Sequence, residues 1–127
     1  MSKVQYRVTS DLARNIVYIY LEGFFRENDA LTASNEVVTE ISRMKDKFAV
    51  VTDISKCIPA DFKAISHLKK TQSFIKQSNV GLVIRIVGSS ILAWLQISRA
   101  SKEVGYEAIK VNSLQEAENI LIEKGYS

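Results

Sequence analysis

The pattern of apolar and polar positions predicts one α/β domain organised around residues 48–55, Phe-Ala-Val-Val-Thr-Asp-Ile-Ser. The first four residues of this stretch are all apolar, and a strand with two apolar faces is typical of the interior of a parallel sheet. Residues 82–87 have the same character and are interrupted only by Arg85. We therefore expect two buried inner strands, with the other elements arranged around them.

The N-terminal pattern predicts two further strands. Val4, Tyr6 and Val8 alternate with polar residues, which is typical of a strand with one solvated face. A turn at residues 10–15 leads into residues 16–21, which are nearly all β-branched or aromatic. Because the connection is short, we expect an antiparallel hairpin with its first strand at the edge of the sheet.

Helical spacing of apolar residues predicts two helices in the middle of the chain. The first begins at Asn28 or Asp29, because either side chain can cap a helix. The second begins at Pro59, since a proline in the first turn loses no hydrogen bond. The residues expected to form the buried stripe of the second helix are Phe62, Ile65, Leu68 and Ile75.

The C-terminal third of the chain predicts two more helices and a short strand. Residues 88–90, Gly-Ser-Ser, turn into a third helix that ends near Gly105. Residues 107–111 are short and polar, which favours a strand at the other edge of the sheet. Ser113 and Glu116 form a capping box that opens the last helix.

The predicted fold is a single α/β domain over residues 1–127, with the order ββαβαβαβα. Four helices accompany a five-stranded, mostly parallel sheet with an antiparallel N-terminal edge strand, because helices between successive strands require parallel pairing. Solvated strands at both chain ends favour a strand order that follows the sequence. That order puts all crossover helices on one face. Either the order is permuted, or the N-terminal segment, the last helix or a second subunit covers the other face.

Composition narrows the class of protein. Apolar residues make up 46% and charged residues 24% of the 127 residues, as in ordinary soluble domains. One cysteine cannot form an internal disulfide, and no apolar run approaches the roughly 20 residues that span a bilayer. We therefore expect a cytoplasmic protein without membrane insertion. A net charge of +3 and a lysine-rich second helix without aligned aromatic residues do not favour a nucleic-acid partner.

The order of elements and two stretches resemble a STAS domain, the SpoIIAA-like fold of sulfate-transporter tails and anti-sigma-factor antagonists. The stretches are Val-Thr-Asp-Ile-Ser at 51–55 and Gly-Leu-Val-Ile-Arg-Ile-Val-Gly at 81–88. In the antagonists an Asp-Ser-Ser-Gly motif opens the helix after the central strand, and a partner kinase phosphorylates a serine there. Residues 58–62 of this chain read Ile-Pro-Ala-Asp-Phe. The resemblance therefore implies the scaffold and a binding role without the phosphoacceptor.

Catalytic and metal chemistry find little support in the sequence. Cys57 precedes a predicted helix start, where a helix dipole lowers a thiol pKa. His67, however, lies more than two helical turns from that start, too far to act as a base for Cys57. A metal site would need closely spaced ligands, and one histidine and one cysteine do not supply them. We expect no enzyme activity, no cofactor and no metal.

Asp53 and Arg85 are the polar residues that interrupt the predicted inner strands. An ion pair between neighbouring strands is the plainer interpretation, and contact with a ligand is the alternative. The Gly-Ser-Ser sequence at 88–90 lacks the lysine and glycine spacing of phosphate-binding loops, so a plain turn is favoured there.

Large apolar residues concentrate where the parallel strands end. The loops after residues 23, 55 and 88 converge at that edge, because parallel strands all end on the same side. The expected partner or ligand surface consists of Phe24, Phe25, Cys57, Ile58, Pro59, Ser89, Ser90, Ile91 and Trp94. Among these we expect Phe25 to be exposed, since Phe24 can pack under the third helix.

These observations favour a non-catalytic regulatory module that binds another protein or, as a homodimer, a second copy of itself. Large exposed apolar patches usually mark such interaction surfaces. The alternative is a protein that binds a small apolar or amphipathic ligand in a pocket under Phe24, Phe25 and Trp94.

Overall fold

The described part of the chain forms nine elements, in the order predicted from the sequence. The computed structural model describes residues 3–58, 61–88 and 91–127, with the side chains of residues 91–93 excepted. The strands are β1 Gln5–Asp11, β2 Ile16–Phe24, β3 Ala49–Ile58, β4 Leu82–Ile86 and β5 Ile109–Val111. The helices are α1 Glu27–Ile41, α2 Phe62–Gln77, α3 Ile91–Val104 and α4 Leu114–Glu123.

The five strands form one mixed sheet whose spatial order follows the sequence, β1-β2-β3-β4-β5. β1 pairs with β2 as an antiparallel hairpin, and all later pairs are parallel. The predicted fold class and strand order are thus confirmed.

Helices cover both faces of the sheet. α1, α2 and α3 pack on one face, where Val50 and Val83 meet Val37 and Ile97 in the larger core. On the opposite face α4 packs on β3, β4 and β5, and its Leu121 is fully buried in a second core. Of the alternatives for covering the second face, the last helix is therefore the one observed.

β2 continues to Phe24, beyond the predicted end, through an irregular register between Tyr20 and Glu22. Gly23 has a φ of 94°, and a Cβ added there would lie 2.7 Å from the carbonyl oxygen of Lys3. This close passage of the N-terminal segment requires a residue without a side chain. Phe25 is the first residue after β2, and its side chain is buried.

The start of α2 differs from the prediction. The helix begins at Phe62, because the carboxylate of Asp61 accepts a hydrogen bond of 2.9 Å from the amide of Ala64 and caps it. Pro59, predicted as the start, lies outside the described residues. α1 likewise begins at Glu27 and not at Asn28 or Asp29; Asp29 instead accepts a hydrogen bond from the Arg26 amide.

Candidate functional site

The contact surface predicted from the sequence lies at the edge where β2 and β3 end, and the structure divides the residues named for it into three groups. Phe25 and Cys57 are buried, with 2% and 4% of their surfaces exposed. Phe24 and Trp94 are half-buried, and Ile58 is exposed. The residues outside the described part are Pro59, Ser89 and Ser90, together with the side chain of Ile91.

The prediction that Phe25 is exposed is wrong, and so is the placement of Cys57 on the surface. Both belong to the larger core, beneath α2 and α3. The space that they line with Ile65 and Ile97 measures about 10 Å³, roughly the room of a single water. The geometry at this place therefore does not support a small-ligand pocket under Phe25.

Burial also governs the chemistry of Cys57. It raises the pKa of the thiol to about 11, the opposite of the lowering expected at a helix start. The sulfur lies in β3, 3.5 Å from the carbonyl oxygen of Ile58. His67 instead faces α1, with its Nε2 3.4 Å from the carboxylate of Glu27. The structure thus gives neither residue the partner that a Cys-His nucleophile needs.

The most exposed large apolar residue among the described residues is Phe62, at 89%. The prediction that it belongs to the buried stripe of α2 is wrong, because the stripe observed contains Ala64, Gln72 and Ile75. Each helical residue advances by about 100°, so Phe62 lies roughly 200° around the helix from Ala64. It therefore points away from the core at the first position of the helix.

Phe62 forms one wall of an open groove between α2 and α3, which we call the α2–α3 groove. The groove has a volume of about 580 Å³. Its lining residues are Phe62, Ile65, Ser66, Lys69, Gln96, Arg99, Ala100 and Glu103. Ile58 adjoins it, since Ile58 shares a smaller space with Ile65 and Gln96. Leu95, 47% exposed, lies one turn before Arg99 on the same side of α3.

Charges surround the apolar floor of the groove. Lys69 of α2 pairs with Glu103 of α3 across it. Arg99 is exposed and makes no ion pair within the described residues. The groove therefore combines an unpaired cation with exposed apolar side chains.

Asp53 and Arg85 do not form the predicted ion pair. In the parallel register Arg85 lies opposite Thr52, whereas Asp53 lies opposite Ile86. Because side chains alternate along a strand, the two charges point to opposite faces of the sheet. Asp53 accepts hydrogen bonds from the amide and hydroxyl of Ser55, at 2.9 and 2.6 Å. Arg85 is buried beneath α3.

Two further features bear on function. No group of three or more histidine, cysteine, aspartate or glutamate side chains suited to a metal ion occurs among the described residues. Within the same part of the chain, no helix is both long and apolar enough to cross a membrane.

Comparisons with known proteins give matches in structure alone. No family model matches the chain, and no curated protein is significantly similar to it in sequence. An uncharacterised DUF3478-family protein with a SpoIIAA-like fold, from Shewanella loihica PV-4, superposes with a TM-score of 0.69 at 11% identity over 95% of each chain. The chain has a SpoIIAA-like fold.

A second solved structure agrees with this assignment. The anti-sigma factor antagonist SpoIIAA in its unphosphorylated form superposes with a TM-score of 0.63 at 13% identity, over 95% of this chain and 99% of that one. The resemblance to a STAS domain inferred from the sequence is thereby confirmed at the level of the fold. At such low identities the SpoIIAA-like fold shows where elements lie and not which partner they bind.

Proposed function

We propose that this protein is a non-catalytic regulatory module that binds another protein through the α2–α3 groove. The observation that carries the proposal is the 89% exposure of Phe62 at the wall of that groove. Removing a phenylalanine side chain from water is worth about 1.5–3 kcal/mol, and aromatic anchors often dominate protein interfaces. An aromatic residue held by a capped helix start is suited to this role.

The position of the groove in the fold supports the proposal. Phe62 opens the helix after the central strand, where the antagonists that this chain resembles carry their phosphorylated motif. One of the similar structures is an anti-sigma factor antagonist. Residues 58–62 contain no hydroxyl side chain, so the regulation proposed here proceeds by binding without phosphorylation of that segment.

The partner expected is a protein that presents an apolar side chain beside an acidic one. The apolar side chain would contact Phe62, Ile65 and Leu95, and the acidic one would pair with Arg99. Such a rim charge mainly accelerates association and is weakened by salt.

The experiment compares proteins retained from native cells by the wild-type chain and by two variants. Phe62→Asp places a carboxylate in the groove, and Ile122→Asp is the matched control, because Ile122 is 59% exposed on α4. We expect the wild type and Ile122→Asp to retain a common partner that Phe62→Asp loses. Equal retention by Phe62→Asp would overturn the proposal. So would a second copy of this chain as the sole partner, shown by a doubled mass in native mass spectrometry.

A further inference from the structure

Arg85 is a buried cation, the fourth of the five residues of β4. Only 3% of its surface is exposed, and burial lowers its pKa. To the described residues its guanidinium donates one hydrogen bond, of 2.9 Å, from Nη2 to the hydroxyl of Ser101 on α3. Within the described residues no carboxylate lies within ion-pair distance of it. A buried charge without a counterion is costly, and an apolar residue of similar size usually serves a core better.

Two buried polar groups at this place lack a hydrogen-bond partner among the described residues. They are the Nε of Arg85 itself and the hydroxyl of Ser98. Ser101 already donates its hydroxyl proton to the carbonyl of Ile97 at 2.9 Å, so it can only accept from Arg85. Ser101 thereby fixes the orientation of the guanidinium and leaves the Nε–H free to bind another acceptor.

Both serines and Arg85 line a cleft of about 460 Å³ between α3 and the segment leading into β5, which we call the Arg85 cleft. Its lining residues are Arg85, Trp94, Ser98, Ser101, Lys102, Gly105, Tyr106, Glu107 and Ala108. This cleft is separate from the α2–α3 groove, and the two share no lining residue.

Cations predominate around the Arg85 cleft. Lys102 lines it, and Lys110 is the residue of β5 that lies opposite Arg85 in the β4–β5 register. The ammonium of Lys110 lies 5.1 Å from the centre of the Trp94 ring, and the guanidinium of Arg85 lies 5.8 Å from it. Glu107 is the acidic residue among the lining residues. Three cations and one carboxylate favour an anion, and the Trp94 ring supplies an apolar wall.

We infer that the Arg85 cleft binds the carboxylate of a small organic molecule, with the apolar body of that molecule against Trp94. Nε and Nη2 lie on one edge of the guanidinium, the edge that receives a carboxylate through two parallel hydrogen bonds. The Ser98 hydroxyl, which also lines the cleft, would donate a third hydrogen bond. The bound carboxylate would serve as the counterion of Arg85. This binding is independent of the protein interaction proposed for the α2–α3 groove.

A competing explanation is that a buried water satisfies Nε. Arg85, Thr52, Gln72 and Tyr106 line a second, smaller cavity of about 50 Å³, which has room for water. If a water in this cavity satisfies Nε, the protein does not bind added carboxylates. The two explanations therefore differ in a measurable way.

The test uses Trp94 as the reporter, because it is the single tryptophan in the sequence. Benzoate is titrated at constant ionic strength while tryptophan fluorescence is recorded. Benzamide, the neutral analogue, and inorganic phosphate are titrated in the same way. We expect a saturable change with benzoate, and binding at least about tenfold weaker for benzamide, since the neutral amide cannot form the two charge-assisted hydrogen bonds that a carboxylate forms with the guanidinium.

Variants assign the binding to the cleft. Arg85→Met should abolish benzoate binding, and Ser98→Ala, which removes an unpartnered hydroxyl, should weaken it about tenfold without loss of folding. Lys70→Gln, on the exposed side of α2, removes one positive charge elsewhere and should leave the affinity within twofold. If Arg85→Met fails to fold, Ser98→Ala carries the test.

Three results would overturn the inference. The first is an absence of saturable change with benzoate, which the buried-water explanation predicts. The second is equal affinity in the wild type and in Ser98→Ala. The third is saturable binding of phosphate without binding of benzoate, which would assign the cleft to a different anion.

Discussion

At the scale of single residues, Asp53 and Arg85 owe their different roles to an offset of one position in the β3–β4 register. The sequence predicts that both charges lie in inner strands, but it does not give the register, which determines the face of the sheet toward which each side chain points. Thr52, and not Asp53, lies beside Arg85. One residue of offset therefore converts an expected ion pair into two separate environments.

A double-mutant cycle measures this separation. Asp53→Ala should lower the free energy of unfolding by about 1 kcal/mol, because the hydrogen bonds that the Asp53 side chain makes to described residues are those to Ser55. Its effect should be the same, within about 0.5 kcal/mol, in the wild type and in Arg85→Met, as expected of independent sites. Urea unfolding of the four proteins gives the coupling energy. A coupling above about 1.5 kcal/mol would mean that the two side chains interact.

Cys57 provides a second prediction at this scale, for the reactivity of its thiol. Because burial raises the thiol pKa to about 11, roughly one molecule in a thousand carries the thiolate at pH 8. We expect the native protein to react with a disulfide reagent at least about 100-fold more slowly than the chain in concentrated guanidinium. Reaction at the same rate in both states would show that Cys57 is exposed.

The errors at Phe25 and Phe62 have one physical origin. The sequence shows which residues are apolar, but the exact ends of β2 and α2 decide where each side chain points. β2 extends to Phe24 and turns Phe25 into the core, whereas the cap at Asp61 starts α2 at Phe62 and leaves that side chain outside. Near this edge Phe62 is therefore the exposed aromatic residue, and Phe25 is buried.

At the scale of elements, the Asp61 cap sets the start of α2. Asp61→Ala should lower the free energy of unfolding by about 1 kcal/mol, because the amide of Ala64 loses its acceptor. Asp61→Asn retains a capping oxygen and should keep most of the stability. Urea unfolding of both variants makes the comparison. Equal losses in the two would show that the charge of Asp61 matters more than its cap.

A cluster around Arg14 and Glu118 attaches α4 to the N-terminal hairpin. Arg14 lies 2.8 Å from the Glu118 carboxylate and also donates to the carbonyl of Tyr126. The hydroxyl of Tyr18 donates to Glu118 at 2.6 Å. Burial by itself raises the pKa of Glu118, but the hydrogen bonds from Tyr18 and Arg14 outweigh it and lower the pKa.

This lowered pKa predicts how stability depends on pH. The contribution of Glu118 is fully present above the ordinary glutamate pKa and is lost as the pH falls through the lower pKa of the folded state. The stability difference between the wild type and Glu118→Gln should therefore be largest near neutral pH and vanish in acid. Glu123→Gln, at the exposed end of α4, controls for net charge. A difference that persists unchanged in acid would contradict the assignment.

At the scale of the whole molecule, the fold was largely predictable and the binding surfaces were less so. Two strands with apolar residues on both faces, at residues 48–51 and 82–87, required covers on both sides of the sheet. The capping box at Ser113 predicted α4, and this helix covers the second face of the sheet. The Arg85 cleft was not predictable in this way. It depends on the position of α3 beside residues 105–108, where Ser98 and Ser101 line the cleft together with Arg85, and no sequence motif marks that arrangement.

The measurement that tests the central claim most directly is the affinity of the purified partner for three forms of this protein. In calorimetric titrations Phe62→Asp should bind at least about tenfold more weakly than the wild type, because it replaces an apolar contact by an unpaired carboxylate. Ile122→Asp should bind within twofold of the wild type. Thermal unfolding should show Phe62→Asp as stable as the wild type, since Phe62 is exposed. Equal affinity for Phe62→Asp and the wild type would contradict the assignment of the α2–α3 groove as the binding surface.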